Sequence, residues 1–333
     1  MDIRNRRELK EYAARRLKEN RYSHRRLVFI HAGVAALLLF AVAVVDYLLD
    51  RGIGSTGGLS GMGTRSILTT VQTVLTYGVT IAMPFWEIGF VFTALSVSRG
   101  RQADPQQLKE GFRRFGPVLR LLLLRFVLFF VLALACAYIS TMFYLFTDSG
   151  REIFAMMMSV SLEGGTMEQM QQMLEGNIQQ LLPVYGIMLV IFGLVAIPLF
   201  YRMRFADFVI MDKPGTGAFR AVIRSFKLTK KKMGQLILLD LSFWWYYLLQ
   251  VAVAIIAYGD LILPLMGVQL GIDETAMYFG FYVVSMVAQV LLLTWAKGGV
   301  MATWAAAYDL LGSQVPEKRL IPVSRQNPWI SNS

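Results

Sequence analysis

The chain has 333 residues, 56% of them hydrophobic and 17% charged, with a formal net charge of +11. Water-soluble domains run nearer about 25% charged, so this composition excludes an ordinary soluble domain and points to a helical membrane protein. The single cysteine, Cys136, excludes an intrachain disulfide or a thiol metal cluster, and two histidines, His24 and His31, are too few for a histidine-built site.

In chain order, residues 1–26 form a basic amphipathic segment. Asn5 can cap a helix that Glu8 closes as a capping box. Leu9, Tyr12, Ala13 and Leu17 then share one face, with Arg6, Lys10 and Arg15 around it, a pattern expected to lie on anionic lipid. Residues 27–311 read as a six-span transmembrane domain, and residues 312–333 as a loosely ordered cytoplasmic tail.

The first span covers Leu27–Leu49, and Gly52–Gly63 is a glycine-rich connector. The second, Ile67–Leu95, carries Pro84, expected to kink it, and Glu87. Asp104 and Pro105 open a short basic helix that Gly116-Pro117 should end. The third span, Val118–Phe146, carries Arg120 and Arg125 in its first turns. An acidic, methionine-rich segment follows, with a helical stripe from Met167 to Leu181 behind a Thr166–Gln169 capping box. Its thioethers could hold Cu(I) but serve more commonly as apolar filler.

Leu181–Phe200 is the fourth span. Between Pro214-Gly215 and Gly234 lies the most pronounced amphipathic helix, with Phe219, Val222, Ile223 and Phe226 opposing Arg220, Arg224, Lys227 and Lys231. The fifth span is Gln235–Ala257 and the sixth Ala276–Ala296, with a Trp- and Ala-rich helix continuing to Leu311.

Charge sets the topology. Thirty of the 33 Lys and Arg residues fall in four alternate segments, and the opposite loops carry only Arg51, Arg65 and Arg151 beside many acids. Basic residues mark the cytoplasmic side, so both termini are expected inside. The fold class is therefore all-α: a six-span helical bundle with basic amphipathic interfacial helices on the cytoplasmic side. Segments beginning at Leu9, Leu108 and Phe219 each precede a pair of spans. They read either as three repeats of interfacial helix plus hairpin or as three similar linkers.

Charges inside spans are costly and mark functional or packing sites. Glu87, Arg125 and Asp240 are expected to meet in a polar cluster in the cytoplasmic half, with Lys297 closing the sixth span. That cluster would handle protons or solute, or else serve as an ion-paired set that fixes helix packing. Arg220, Arg224, Lys227, Lys231, Lys109 and Arg113 are the candidate contacts to anionic headgroups. The pattern contains no phosphate-binding loop, no HExxH and no placeable Ser/His/Asp set. Neither a metal, a cofactor nor an enzymatic activity is therefore expected, and a nucleic-acid partner is not expected because lipid headgroups lie beside every basic segment.

The Asp212-Lys213-Pro214 turn, Ser225-Phe226-Lys227-Leu228, Lys232-Met233-Gly234 and Leu241-Ser242-Phe243-Trp244-Trp245 together resemble the bacterial membrane proteins grouped as the DUF975 family. The opening Arg7-Glu8-Leu9-Lys10 and the closing Ala306-Ala307-Tyr308 are similar too, although Trp244 stands where that family usually shows a glycine. The family is similar in organisation to the membrane region of some glycerophosphodiester phosphodiesterases, which implies lipid or envelope work and carries over no catalytic residue. The expectation is a non-enzymatic scaffold or regulator that binds anionic lipid. The alternative is a small transporter or lipid-handling channel using the Glu87/Arg125/Asp240 cluster, and an open cavity at that depth would favour it.

Overall fold

A computed structural model describes residues 5–50, 59–162, 178–265 and 274–314, together with Ile3, Gly164 and Thr166. Every regular element among them is helical. Helix α1 (Arg6–Glu19) leads into α2 (Arg21–Asp50) and α3 (Leu59–Ser98). A 3-10 turn (Pro105–Lys109) and α4 (Glu110–Arg113) precede α5 (Phe115–Leu145) and α6 (Asp148–Leu162). Then come α7 (Ile178–Met203), α8 (Ala206–Asp212), α9 (Ala218–Thr229), α10 (Met233–Leu241) and α11 (Trp244–Ala257). Helices α12 (Gly259–Leu265) and α13 (Glu274–Leu292), a π-helical turn (Leu293–Lys297) and α14 (Gly298–Gln314) complete the described elements.

Five helices are long and apolar enough to cross a membrane, and six if α10 and α11 count as one span. Their outward side chains suit lipid rather than water: Leu37, Phe126 and Leu194 are each about two-thirds exposed. The spans neighbour one another in cyclic order α2, α3, α5, α7, α10–α11 and α13, which returns to α2. The chain is an integral membrane protein.

The packed core lies at the end that carries the basic segments. Trp304 of α14, Phe205 and the apolar residues of the short α8 are buried there, joined by Leu9 of α1, Leu228 of α9 and Leu95 of α3. Arg99, just beyond α3, clamps this end by reaching both Asp212, the last residue of α8, and Asp309 of α14 (2.7 Å), while the Tyr308 hydroxyl donates to Asp212 at 3.0 Å. Burial opposes the Arg99 charge, but the two carboxylates outweigh it and push its pKa above the usual arginine value. Arg114 donates to the carbonyls of Ile210 and Met211 (2.9 and 2.7 Å), satisfying acceptors at the end of α8.

Several elements differ from expectation. The fifth span is not one rod: α10 and α11 meet at a 60° bend after Leu241. No glycine or proline marks the break; Ser242 turns its hydroxyl back onto the Leu239 carbonyl, and Lys10 of α1 donates to the Ser242 carbonyl at 2.7 Å. Gly116-Pro117 does not end a helix but lies in the first turn of α5, where a missing N–H costs nothing. Helix α3 begins at Leu59, inside the expected glycine-rich connector, and runs as one helix through Pro84. The turn before α10 is made by Lys231, in left-handed backbone (φ 62°), so Gly234 falls inside that helix. The stripe expected from Met167 to Leu181 lies outside the described residues as far as residue 177, as do the tail residues 315–333.

The basic helices are docked on protein rather than laid on lipid alone. The Asn5 side chain accepts from the Glu8 N–H at 3.2 Å, starting α1 as expected, but Leu9 and Ala13 are buried against α14 and α3. In α9 the buried face is Ala221, Val222, Ser225 and Leu228, while Phe219 and Ile223 stay exposed. The small residues Ala221 and Ser225 let that face approach α7 and α8 closely, which rotates the helix away from the larger stripe. Leu108 is likewise fully buried.

Lys10 links α1 to the bent span twice, through the Ser242 carbonyl and by standing 4.0 Å over the Phe243 ring. Its amine is held below the usual lysine pKa, first by burial and then by Arg6. Lys10→Ala is expected to lower stability by about 1–2 kcal/mol, since a cation is lost from both a helix C-terminus and an aromatic face. Thermal unfolding of the purified protein in detergent would measure it, with Lys10→Arg retaining most of the stability.

Candidate functional site: a polar-floored groove between α5, α7 and α10–α11

The bend after Leu241 places Asp240 at the end of α10, facing the start of α11 and the end of α7. Asp240 is buried and its carboxylate is saturated with donors. Tyr201 (2.7 Å) and Arg204 donate to Oδ2, while Tyr247 and Trp304 (3.0 Å each) donate to Oδ1. The Arg204 guanidinium also stacks 3.6 Å from the Trp304 ring centroid. Four elements, α7, α10, α11 and α14, therefore converge on one carboxylate.

Arg125, almost three turns into α5, does not join Asp240. It binds Asp207 at the start of α8 (2.8 Å) and donates to the Met203 carbonyl (3.0 Å). Glu87 is elsewhere, across the ring: Lys297 of the π-turn donates to both its oxygens (2.7 and 2.8 Å), and His31 of α2 lies 3.2 Å away. The four residues expected to form one cluster thus occupy three ion-paired sets. Each charge takes the counter-ion nearest in the fold, and Arg204 and Asp207, in the turn joining α7 to α8, supply two of these.

Two cavities flank Arg204. The larger, about 810 Å³, is lined by Phe129 of α5, Ala196, Ile197, Phe200 and Tyr201 of α7, and Asp240, Leu241, Trp244 and Tyr247 across the bend. The smaller, about 330 Å³, reaches Arg125, Asp207 and Trp304 and shares Phe129, Phe200 and Arg204 with the first. Both fall within the usual size range of ligand pockets, about 300–1,000 Å³. Their walls are apolar, and the polar groups gather on the floor. The rim residues Ile197, Leu241 and Trp244 are more than half exposed, so the larger cavity opens sideways, toward where the bilayer lies.

Such a groove can hold an apolar chain against Phe129 and Phe200 while presenting Arg204, Tyr201 and Tyr247 to a polar head. Arg204, Tyr201, Tyr247 and Trp304 did not stand out as site residues in the sequence, where Arg204 counted only toward the basic side. A recognisable signal existed: an acid buried in a span requires a cation within reach. Of the candidate headgroup contacts, Lys109, Arg113, Arg220, Lys227 and Lys231 are exposed and Arg224 is half-buried. Arg113 pairs with Glu110 at 2.7 Å. No group of three or more potential metal ligands occurs among the described residues.

The family described as "Protein of unknown function (DUF975)" matches residues 1–274, and the chain belongs to it. Its match ends before Lys297 and Trp304. No curated protein and no solved structure matches the chain.

Proposed function

We propose that this protein is a non-enzymatic lipid-handling protein of the bacterial cytoplasmic membrane, which admits a phosphate-bearing amphiphile from the bilayer into the groove between α5, α7 and α10–α11. The observation that carries this reading is the 810 Å³ lateral cavity with apolar walls and a floor of Arg204, Tyr201, Tyr247 and Asp240. A bent, broken span lining a cavity is how membrane proteins present backbone and polar groups at depth without exposing them to lipid. Arg204 has a planar fork of donors suited to phosphate, and Asp240 holds that fork in place. Both termini lie on the basic, cytoplasmic side in this reading. The exposed Lys109, Arg113, Arg220, Lys227 and Lys231, with the half-buried Arg224, would contact anionic headgroups of that leaflet, worth about 1 kcal/mol per cation near the surface. Exposed Phe219 and Ile223 of α9 support this, since they give those cations an apolar face to insert.

Extraction of the full chain into native nanodiscs, followed by detergent exchange and mass spectrometry, tests the groove. The wild-type protein is expected to retain phospholipid near one per chain after exchange. Ile197→Trp, which fills the mouth from an exposed position, is expected to reduce that occupancy at least fivefold at unchanged melting temperature. Equal retention by both proteins would refute a lipid site here.

A further inference from the structure

The two cavities that flank Arg204 differ in chemistry along the membrane normal. The larger runs outward along α7 as far as Ala196, two turns or about 12 Å before Arg204. The smaller, about 330 Å³, lies at the basic end instead, walled by Asp207 and Phe208 of α8 and by Met301 and Trp304 of α14, against the packed core. Phe129, Phe200 and Arg204 line both, so a ligand that meets Arg204 can extend into either. An amphiphile seated here therefore lays its chains outward in the larger cavity and turns its head into the smaller one, toward the basic end.

The charged side chains lining these two cavities are Arg125, Arg204, Asp207 and Asp240. The fold brings the two cations together, because Arg125 donates to the carbonyl of Met203, the residue before Arg204, at 3.0 Å. Each cation keeps a carboxylate of its own: Asp207 lies 2.8 Å from Arg125, and Asp240 binds Arg204. The set is therefore neutral. A headgroup of zero net charge leaves it balanced, whereas an anionic one adds a charge that nothing offsets, which is costly in a partly buried chamber. A guanidinium carries five N–H donors, so either arginine can hold its carboxylate and still serve a phosphate. Asp207 can likewise accept from more than Arg125, since a carboxylate offers about four lone-pair sites. Phe126, Phe129, Phe200, Phe208 and Trp304 form much of the smaller cavity's wall, and aromatic surroundings favour an ammonium.

We infer that the groove selects a phospholipid with a zwitterionic phosphate–ammonium headgroup, its phosphate between Arg204 and Arg125 and its ammonium beside Asp207 among the aromatic side chains. This rests on the reading of the groove as a lipid site, and adds which lipid it takes and which way that lipid points. The lipid comes from the leaflet on the basic side, because its head lies at that end and its chains trail outward past Phe200. Arg204, stacked on Trp304 and held by Asp240, is the fixed arm of the clamp. Asp207 is the residue that tells one headgroup from another. Without its charge, two arginines face the single carboxylate of Asp240, and the balance then calls for an anionic head.

The test places the full chain in nanodiscs of equal parts phosphatidylethanolamine and phosphatidylglycerol, and identifies by mass spectrometry the lipid retained after detergent exchange. The ratio of ethanolamine to glycerol lipid on the wild-type protein is expected to be at least threefold that of the bulk. Asp207→Asn, which keeps the shape of the side chain, is expected to reverse the preference toward the glycerol lipid. The double variant Arg125→Leu, Asp207→Leu removes the ion pair without stranding a charge, so it keeps the comparison open should the single variant not fold. It is expected to retain the two lipids in bulk proportion. Wild-type protein carrying lipid in bulk proportion, or enriched in the glycerol lipid, overturns the headgroup assignment and leaves the groove standing. An unchanged ethanolamine preference in either folded variant overturns it as well. Wild-type protein that retains no lipid at all refutes the groove itself, and the assignment with it.

Discussion

Replacing Arg204 by leucine is expected to destabilise the protein by about 3–5 kcal/mol, the largest effect of any substitution considered for this chain. The cost comes not from the lost attraction but from Asp240, which stays buried and charged with its strongest partner gone. Tyr201, Tyr247 and Trp304 can still donate to it, but these neutral donors leave the buried charge without a counter-ion. Leucine also removes the stacking on Trp304, at the centre of the core. Thermal unfolding in a fixed detergent would measure the loss. The double variant Arg204→Leu, Asp240→Asn should recover at least half of it, because the stranded charge is removed. A double variant no more stable than Arg204→Leu alone would show that stacking, and not the ion pair, dominates.

The second large effect is expected at Gly89. A Cβ there would overlap the backbone carbonyl of Leu108, and one on Gly111 would overlap that of Phe85. The two glycines let the 3-10 turn and α4 pack backbone to backbone on α3. Backbone cannot swing aside as a side chain can, so Gly89→Ala should cost about 3 kcal/mol, at the upper end for overpacking. Gly33→Ala in α2 is the control: nothing lies within 4 Å of its added methyl, and helix propensity favours alanine by roughly 0.5–1 kcal/mol. Opposite signs for two identical changes would separate packing from propensity in one pair of melting curves.

These two sites also show what the sequence made legible. The spans were readable because apolar runs of that length have few other uses, and Asn5 and Asp104 cap their helices as their spacing requires. Glu87 and Asp240 stood out because acids within spans are rare. Their partners did not, since Lys297 is separated from Glu87 by most of the chain, and Arg204 was indistinguishable from its basic neighbours. The bend after Leu241 left no trace because it is held from outside, by Arg6 and Lys10 donating to the Leu238 and Ser242 carbonyls. Apolar periodicity also misplaced the buried face of α9, because it weights Phe219 over Ala221 and Ser225, whereas close approach of helices rewards the small residues.

The contact between α1 and α14 has a consequence for biosynthesis. Helix α1 finds its seat only after α14 has been made, and Asp240 waits for Trp304 in the same way. Until then Leu9, Ala13 and the acid at the bend have no native surroundings, so a nascent or truncated chain would display them to the quality-control machinery of the membrane. Synthesis of α14, rather than insertion of any one span, is the step that closes this core.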